Sequence, residues 1–139
     1  MKKMLLYTVL LLFLFTITGC KSQYLEYYGD ENNYITATGC VTFTNYSDDD
    51  FHMLVIACTD LKPTFDDNCF KITGKNYDII LKNGIKDILR VGDEVTFMVA
   101  PKYFGDGYIY PIVALWIDGE CFLSYEEGYP NLLEWIGNN

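Results

Sequence analysis

Apolar and polar residues alternate most cleanly over Tyr34–Thr44 (YITATGCVTFT). Ile35, Ala37, Val41 and Phe43 fall on one side, with Thr36, Thr38, Cys40, Thr42 and Thr44 on the other. A period of two predicts a half-exposed strand, with Gly39 marking a bend or bulge. Asn45–Asp50 (NYSDDD) reads as a solvated turn. Its acids lack the spaced pattern of a calcium loop. Phe51–Thr59 (FHMLVIACT) is apolar almost throughout and predicts a central strand covered on both faces. Asp60–Asn68, which contains Pro63, is a loop. Cys69–Thr73 and Tyr77–Lys82 predict one bent strand or a hairpin, interrupted at Gly74-Lys75-Asn76 and ended by Asn83-Gly84. Ile85–Leu89 is one helical turn at most. Val91-Gly92-Asp93-Glu94-Val95 then leads into a strand, Thr96–Ala100, which Pro101 closes.

The strongest hairpin signal is Asp118-Gly119, between Tyr108–Ile117 and Glu120–Tyr125. Both central residues of a type I′ turn need positive φ, which Asp-Gly supplies. A two-residue turn pairs Ile117 with Glu120, Trp116 with Cys121, Leu115 with Phe122, Ala114 with Leu123 and Ile112 with Tyr125. The face of Ile112, Ala114, Trp116, Cys121 and Leu123 is expected to be the buried one. Pro111 cannot donate to a ladder and belongs at an edge or bulge. Pro130–Ile136 (PNLLEWI) predicts a short closing helix, with Pro130 in its first turn and Gly137 as its stop.

The first twenty-one residues, MKKMLLYTVLLLFLFTITGCK, follow a different logic. Lys2 and Lys3 precede an apolar run from Leu5 to Phe15, and small residues lead to a cysteine. That is the layout of a secretory signal rather than a spanning helix. Ile17-Thr18-Gly19-Cys20 resembles the lipobox of bacterial lipoproteins. The resemblance implies cleavage before Cys20, a diacylglyceryl group on its thiol, and further acylation of the new N-terminus. It implies a leader over 1–19, a lipidated tether over 20–33 and one domain over 34–139. The tether is polar and lacks clear periodicity, with Tyr24, Tyr27 and Tyr28 available to lie against the domain. The implied location is the bacterial cell membrane, on its extracytoplasmic face, with the lipid on Cys20 as the membrane partner.

Aromatics raise the β content further: 12 Tyr, 9 Phe and 2 Trp make up 17% of the chain, and both Tyr and Phe favour strands. The fold expected is mainly β, a small antiparallel barrel or sandwich with a short C-terminal helix. Three strands, a helical turn and a strand entered through Val-Gly-Asp-Glu-Val look like an OB-type barrel. Without Lys2 and Lys3 the chain holds 8 basic against 19 acidic residues, a net of −11. An OB-type fold first implies nucleic-acid binding, but such binding needs a basic groove. Nucleic acid is therefore excluded as a partner.

Five cysteines divide as Cys20 in the anchor and Cys40, Cys58, Cys69 and Cys121 in the domain. Two disulfides are permitted in an extracytoplasmic chain, and Cys58–Cys69 closes the shortest loop. There is no CxxC, the only histidine is His52, and no metal or cofactor is expected. No GxSxG, HExxH or GxxxxGK[ST] occurs. His52 stands at a strand start beside the acidic turn, a position more suited to a surface residue than to a general base. Tyr103, Phe104, Asp106, Tyr108 and Tyr110 cluster around a glycine-flanked tip. Amphipathic rings of this kind suit contact with a partner protein or a glycan. The function expected is a membrane-anchored binding or structural module without catalysis. The alternative is a small surface hydrolase or carbohydrate-active enzyme built on acidic residues.

Overall fold

Six strands form one sheet in the order β3-β2-β1-β4-β5-β6. They are β1 (Ile35–Ser47), β2 (Met53–Lys62), β3 (Cys69–Thr73), β4 (Glu94–Val99), β5 (Ile109–Ile117) and β6 (Glu120–Leu123). The computed structural model describes residues 21–105 and 107–139; the leader, Cys20 and Asp106 lie outside them. A parallel pairing of β3 with β5, from Cys69↔Ile109 to Lys71↔Pro111, turns the antiparallel sheet into a ring of five strands. β6 is appended to β5 as a hairpin. The mainly antiparallel β class with a C-terminal helix is as expected, and helices lie between the third and fourth strands of the ring.

β1 makes closure possible by serving two partners. Its first half pairs with β4 from Ile35↔Val99 to Cys40↔Glu94, and residues 38–47 pair with β2. Gly39 sits where the two ladders overlap. A Cβ there would lie 2.9 Å from both Cys58 Cβ and Leu61 Cδ2, so the bend requires glycine. The ring interior is filled by side chains including Val41, Leu54, Ile56, Phe70, Phe97 and Leu115, all at most 1% exposed.

A second core lies outside the ring, where Ala100, just beyond β4, and Val113 of β5 face helices. Residues 21–29 form a helix, α1, and Tyr28 within it is fully buried. The stretch expected as an aperiodic tether is thus helical and docked. Tyr28 Oη donates to the Lys102 carbonyl, Tyr34 Oη to the Tyr28 carbonyl at 2.7 Å, and Tyr129 Oη to the Gly29 carbonyl at 2.6 Å.

Residues 74–82 depart from the bent strand expected. They form α2 (Gly74–Lys82), which buries Asn76, Tyr77 and Ile80 and exposes Lys75, Asp78 and Lys82. Its period is three to four, not two. Gly84 adopts φ +82 just beyond it, and the single turn α3 (Ile85–Ile88) follows. The C-terminal helix α4 (Tyr125–Asn138) starts five residues before Pro130, which therefore lies inside it. Ser124 caps it, with Oγ accepting from Glu127 N–H at 3.4 Å and donating to the Glu127 carboxylate at 3.1 Å.

The Asp118-Gly119 turn has positive φ at both residues, 50° and 79°. Ile117↔Glu120 and Trp116↔Cys121 pair as expected, but a bulge then opposes Leu115 to Leu123 instead of Phe122. Leu115 and Phe122 lie on the face opposite to the one expected and fill the ring core, Cys121 is exposed, and the extra β6 residue turns Leu123 into that core as well. In β5 the irregularity opposite Met98 and Val99 adds one residue at Val113, which faces the helices. A similar shift between Val41 and Phe43 turns Phe43 out to 51% exposure.

α4 reaches β5 through Gly128. A Cβ there would lie 1.7 Å from the Val113 carbonyl oxygen, and that oxygen is backbone and has nowhere to go. Gly128→Ala is expected to cost about 3 kcal/mol or more, above ordinary overpacking, as read by urea unfolding. Burial also holds the phenols of Tyr28, Tyr34 and Tyr77 well above the ordinary value of 10.0. The unfolded chain releases those protons near 10.0 while the folded chain retains them, so stability falls as pH rises past 10.0. In an alkaline titration these phenols should ionise only together with loss of the near-ultraviolet circular dichroism of the fold.

Candidate functional site at an aromatic loop

The loop between β4 and β5 begins where Pro101 ends the ladder and Lys102 N–H turns back to the Ala100 carbonyl at 2.7 Å. Its rings diverge. Tyr110 is buried in the ring and is followed outward by Tyr103, at 4.7 Å between centroids, and then Tyr108, edge-on to Tyr103 at 5.4 Å. Inward, Tyr110 continues to Phe70 at 5.6 Å and Phe70 to Phe97 at 4.6 Å. A file of aromatic rings thus runs from the core to the surface. Tyr103 is fixed in it by donating to Asp67, and it accepts from Tyr110 Oη at 3.2 Å. The Asp67 bond, then that from Tyr110, pushes the Tyr103 phenol above its ordinary value.

Phe104 goes the other way. It packs edge-on against Tyr24 at 4.9 Å and Trp135 at 5.0 Å, in the outer core. Of the residues the sequence groups at this tip, Tyr110 and Phe104 are therefore packing residues on opposite sides of the sheet. Tyr103 is half-buried, and only Tyr108, 72% exposed, presents a free ring. Asp106 lies outside the described residues. Among the described residues, the expected surface reduces to the Tyr103–Tyr108 pair with Asp67 behind it.

Two partners of the loop escape the sequence pattern. Asp67 looks like one more acid in a loop. Lys71 is the single cation in an apolar strand, CFKIT, and alternation puts it on the outer face of the ring. There it is 8% exposed, donating to the Phe104 carbonyl at 3.1 Å with Nζ 5.5 Å from the Phe104 ring and 5.2 Å from that of Trp135. Desolvation lowers its pKa from 10.5. Lys71 ties the loop to α4.

Cys58 and Cys69 are free thiols, not the bridge expected. Cys69 is paired across the strands with Ala57, so Cys58, one residue on, points to the opposite face and into the ring core. Burial, then Cys40 and Cys69, pushes the Cys58 thiol up to about 12, which leaves it inert. Cys40 and Cys121 are also free.

His52 Nε2 lies 2.6 Å from Asp78 Oδ1, and its ring stands edge-on to Tyr77. Tyr77 Oη donates to Asp48 at 2.5 Å, and Lys86 Nζ pairs with the same carboxylate at 2.9 Å. These contacts fasten the acidic turn to α2 and α3, and among the described residues no hydroxyl or thiol nucleophile bonds to His52. Among the described residues no group of three or more His, Cys, Asp or Glu is arranged to hold a metal ion. None of the described helices is long and apolar enough to cross a membrane. The described residues also line open clefts. One of about 350 Å³ is lined by Gln23, Glu26, Tyr27, Asp30, Asn33 and Lys102. Another, about 280 Å³, brings Asp60 and Glu94 beside Cys40 and Lys62.

The chain matches no protein-family model, no curated protein and no solved structure.

The unfolded chain keeps the Lys71 proton up to pH 10.5, whereas the folded chain loses it earlier. Lys71 therefore makes stability rise as pH climbs through its folded value towards 10.5. Lys71→Met should abolish that rise and match or exceed wild-type stability at pH 7, within about 1 kcal/mol, because an apolar side chain escapes the desolvation cost. Urea unfolding at several pH values compares the two slopes.

Proposed function

We propose that this chain is a membrane-anchored extracytoplasmic lipoprotein whose one β domain serves as a binding or structural module. The observation that carries the reading is Ile17-Thr18-Gly19-Cys20 at the end of a basic-then-apolar leader, followed at once by a folded helix at residue 21. Lipid attachment would then lie directly beside the domain. The net charge of −11 after the leader disfavours attachment through a basic patch and leaves that task to the lipid. The filled ring supports a module without an internal substrate cavity. Its contact surface is the exposed Tyr108 ring backed by Tyr103.

The hydrolase alternative draws support from the cleft shared by Asp60 and Glu94. Glycosidase chemistry needs one of two carboxyls held protonated by apolar surroundings. Both residues are exposed beside Lys62, so this cleft does not supply such apolar surroundings.

The test is intact mass of the protein purified from membranes of its own host, wild type beside Cys20→Ala. Loss of residues 1–19 with a lipid mass on Cys20, and neither change in the variant, is the expected result. An unmodified Cys20 or an intact leader in the wild type would overturn the reading.

A further inference from the structure

The pairings give the ring two distinct ends. Ile35↔Val99 and Cys69↔Ile109 lie at one, together with the loop that carries Tyr108. Cys40↔Glu94, Val95↔Ile117 and Ile117↔Glu120 lie at the other, with the Asp118-Gly119 turn. β5 connects them through nine residues, about 30 Å at a strand's rise.

α1 belongs to the first end. Tyr28 bonds to Lys102, Tyr24 packs on Phe104, and Lys102 Nζ stands 4.7 Å from the Tyr27 ring and 5.7 Å from that of Tyr24. Cys20 precedes Tyr24 by four residues, so its Cα lies within about 14 Å of that of Tyr24 whatever the intervening conformation. A free thirteen-residue tether would impose no such bound. The groups turned to solvent at this end include Tyr108, 72% exposed, Leu25, 36% exposed, and the side chains of Lys21 and Lys102.

We propose that this end rests on the bilayer that holds the Cys20 lipid, with Tyr108 among the headgroups and the Asp118-Gly119 turn pointing away from the membrane. The inference rests on the lipoprotein reading and names the partner of its contact surface. Tyrosine suits the headgroup level because its ring is apolar and its hydroxyl is wet. The acyl chains on Cys20 anchor by themselves, and the protein contact sets which end of the domain faces the bilayer. The acidic net charge gives no attraction to anionic headgroups, so the contact depends on the lipid and on neutral rings.

The experiment uses full-length protein taken from host membranes, with intact mass recorded first, and then placed in phosphatidylcholine vesicles whose acyl chains carry bromine. Tyr108→Trp and Glu120→Trp are compared, with the emission of native Trp116 and Trp135 subtracted from the wild type. Bromine should quench the tryptophan at 108 at least twofold more than that at 120, with little change on adding salt. A lipid on Cys20 with equal quenching at both sites, or stronger quenching at 120, overturns the inference alone. Absence of the lipid overturns the lipoprotein reading and this inference with it. Tryptophan at 108 shielded from aqueous iodide on host membranes, yet unquenched in the vesicles, overturns it in favour of a membrane protein as the partner.

Discussion

The seat of α4 on the outer face of β5 depends on one close approach, between Gly128 and the Val113 carbonyl oxygen. Only a residue without a Cβ lets the helix come this near. At that separation the Gly128 carbonyl accepts from Asn76 Nδ2 at 2.9 Å, while Asn76 Oδ1 accepts from Asn131 at 3.1 Å. Asn76 is 1% exposed, so its amide must be paired inside the protein. These two bonds lock α2 to α4. Had α4 stood further out, Trp135 would not reach Phe104, and the outer core would lose its floor.

β5 explains why one approach matters so widely. It pairs with β3, β4 and β6, so it closes the ring, carries the hairpin and separates the two cores. Residues of β5 such as Leu115 fill the ring, whereas Val113 faces the helices. The β4–β5 loop inherits this division, sending Tyr110 inward and Phe104 under α1 and α4. The exposed Tyr108 is thus the end of a file of rings rooted in the core, not a side chain on a loose loop. Lys71 adds a second fastening, at the cost of keeping an amine in apolar surroundings.

Local signals proved legible where a backbone conformation dictates a residue type. Asp118-Gly119 and Gly84 occupy positive φ, and Gly39 meets Cys58 and Leu61. Alternation found β1, and the single turn expected within Ile85–Leu89 is α3, Ile85–Ile88. What the sequence hid was parity and cover. Bulges beside Val41 and at Val113 exchange inside and outside, and nothing in residue order reveals an extra residue in a ladder. The short apolar run at 77–82 fits a strand or a helix equally well until α4 supplies a surface for its helical face. Phe104 and Tyr110 look alike in a string, yet opposite layers bury them. Cys58 and Cys69 are close in sequence, but the pleat turns them apart. Tyr28 gave no periodic cue because contacts that bury it come from Lys102 and Phe104, far along the chain.

α1 also determines how the molecule bears tension. It belongs to no strand ladder, so a pull applied at residue 21 first loads the ring contacts of Tyr24 and the single hydroxyl bond of Tyr28. The next element is β1, whose hydrogen bonds to β2 and β4 stand across the line of pull and resist together. Peeling is therefore easy and shearing hard. Nine helical residues span about 13 Å and the same nine extended span about 30 Å. The chain thus holds some 17 Å of slack by that reckoning, coiled against the domain and released before the sheet feels any force.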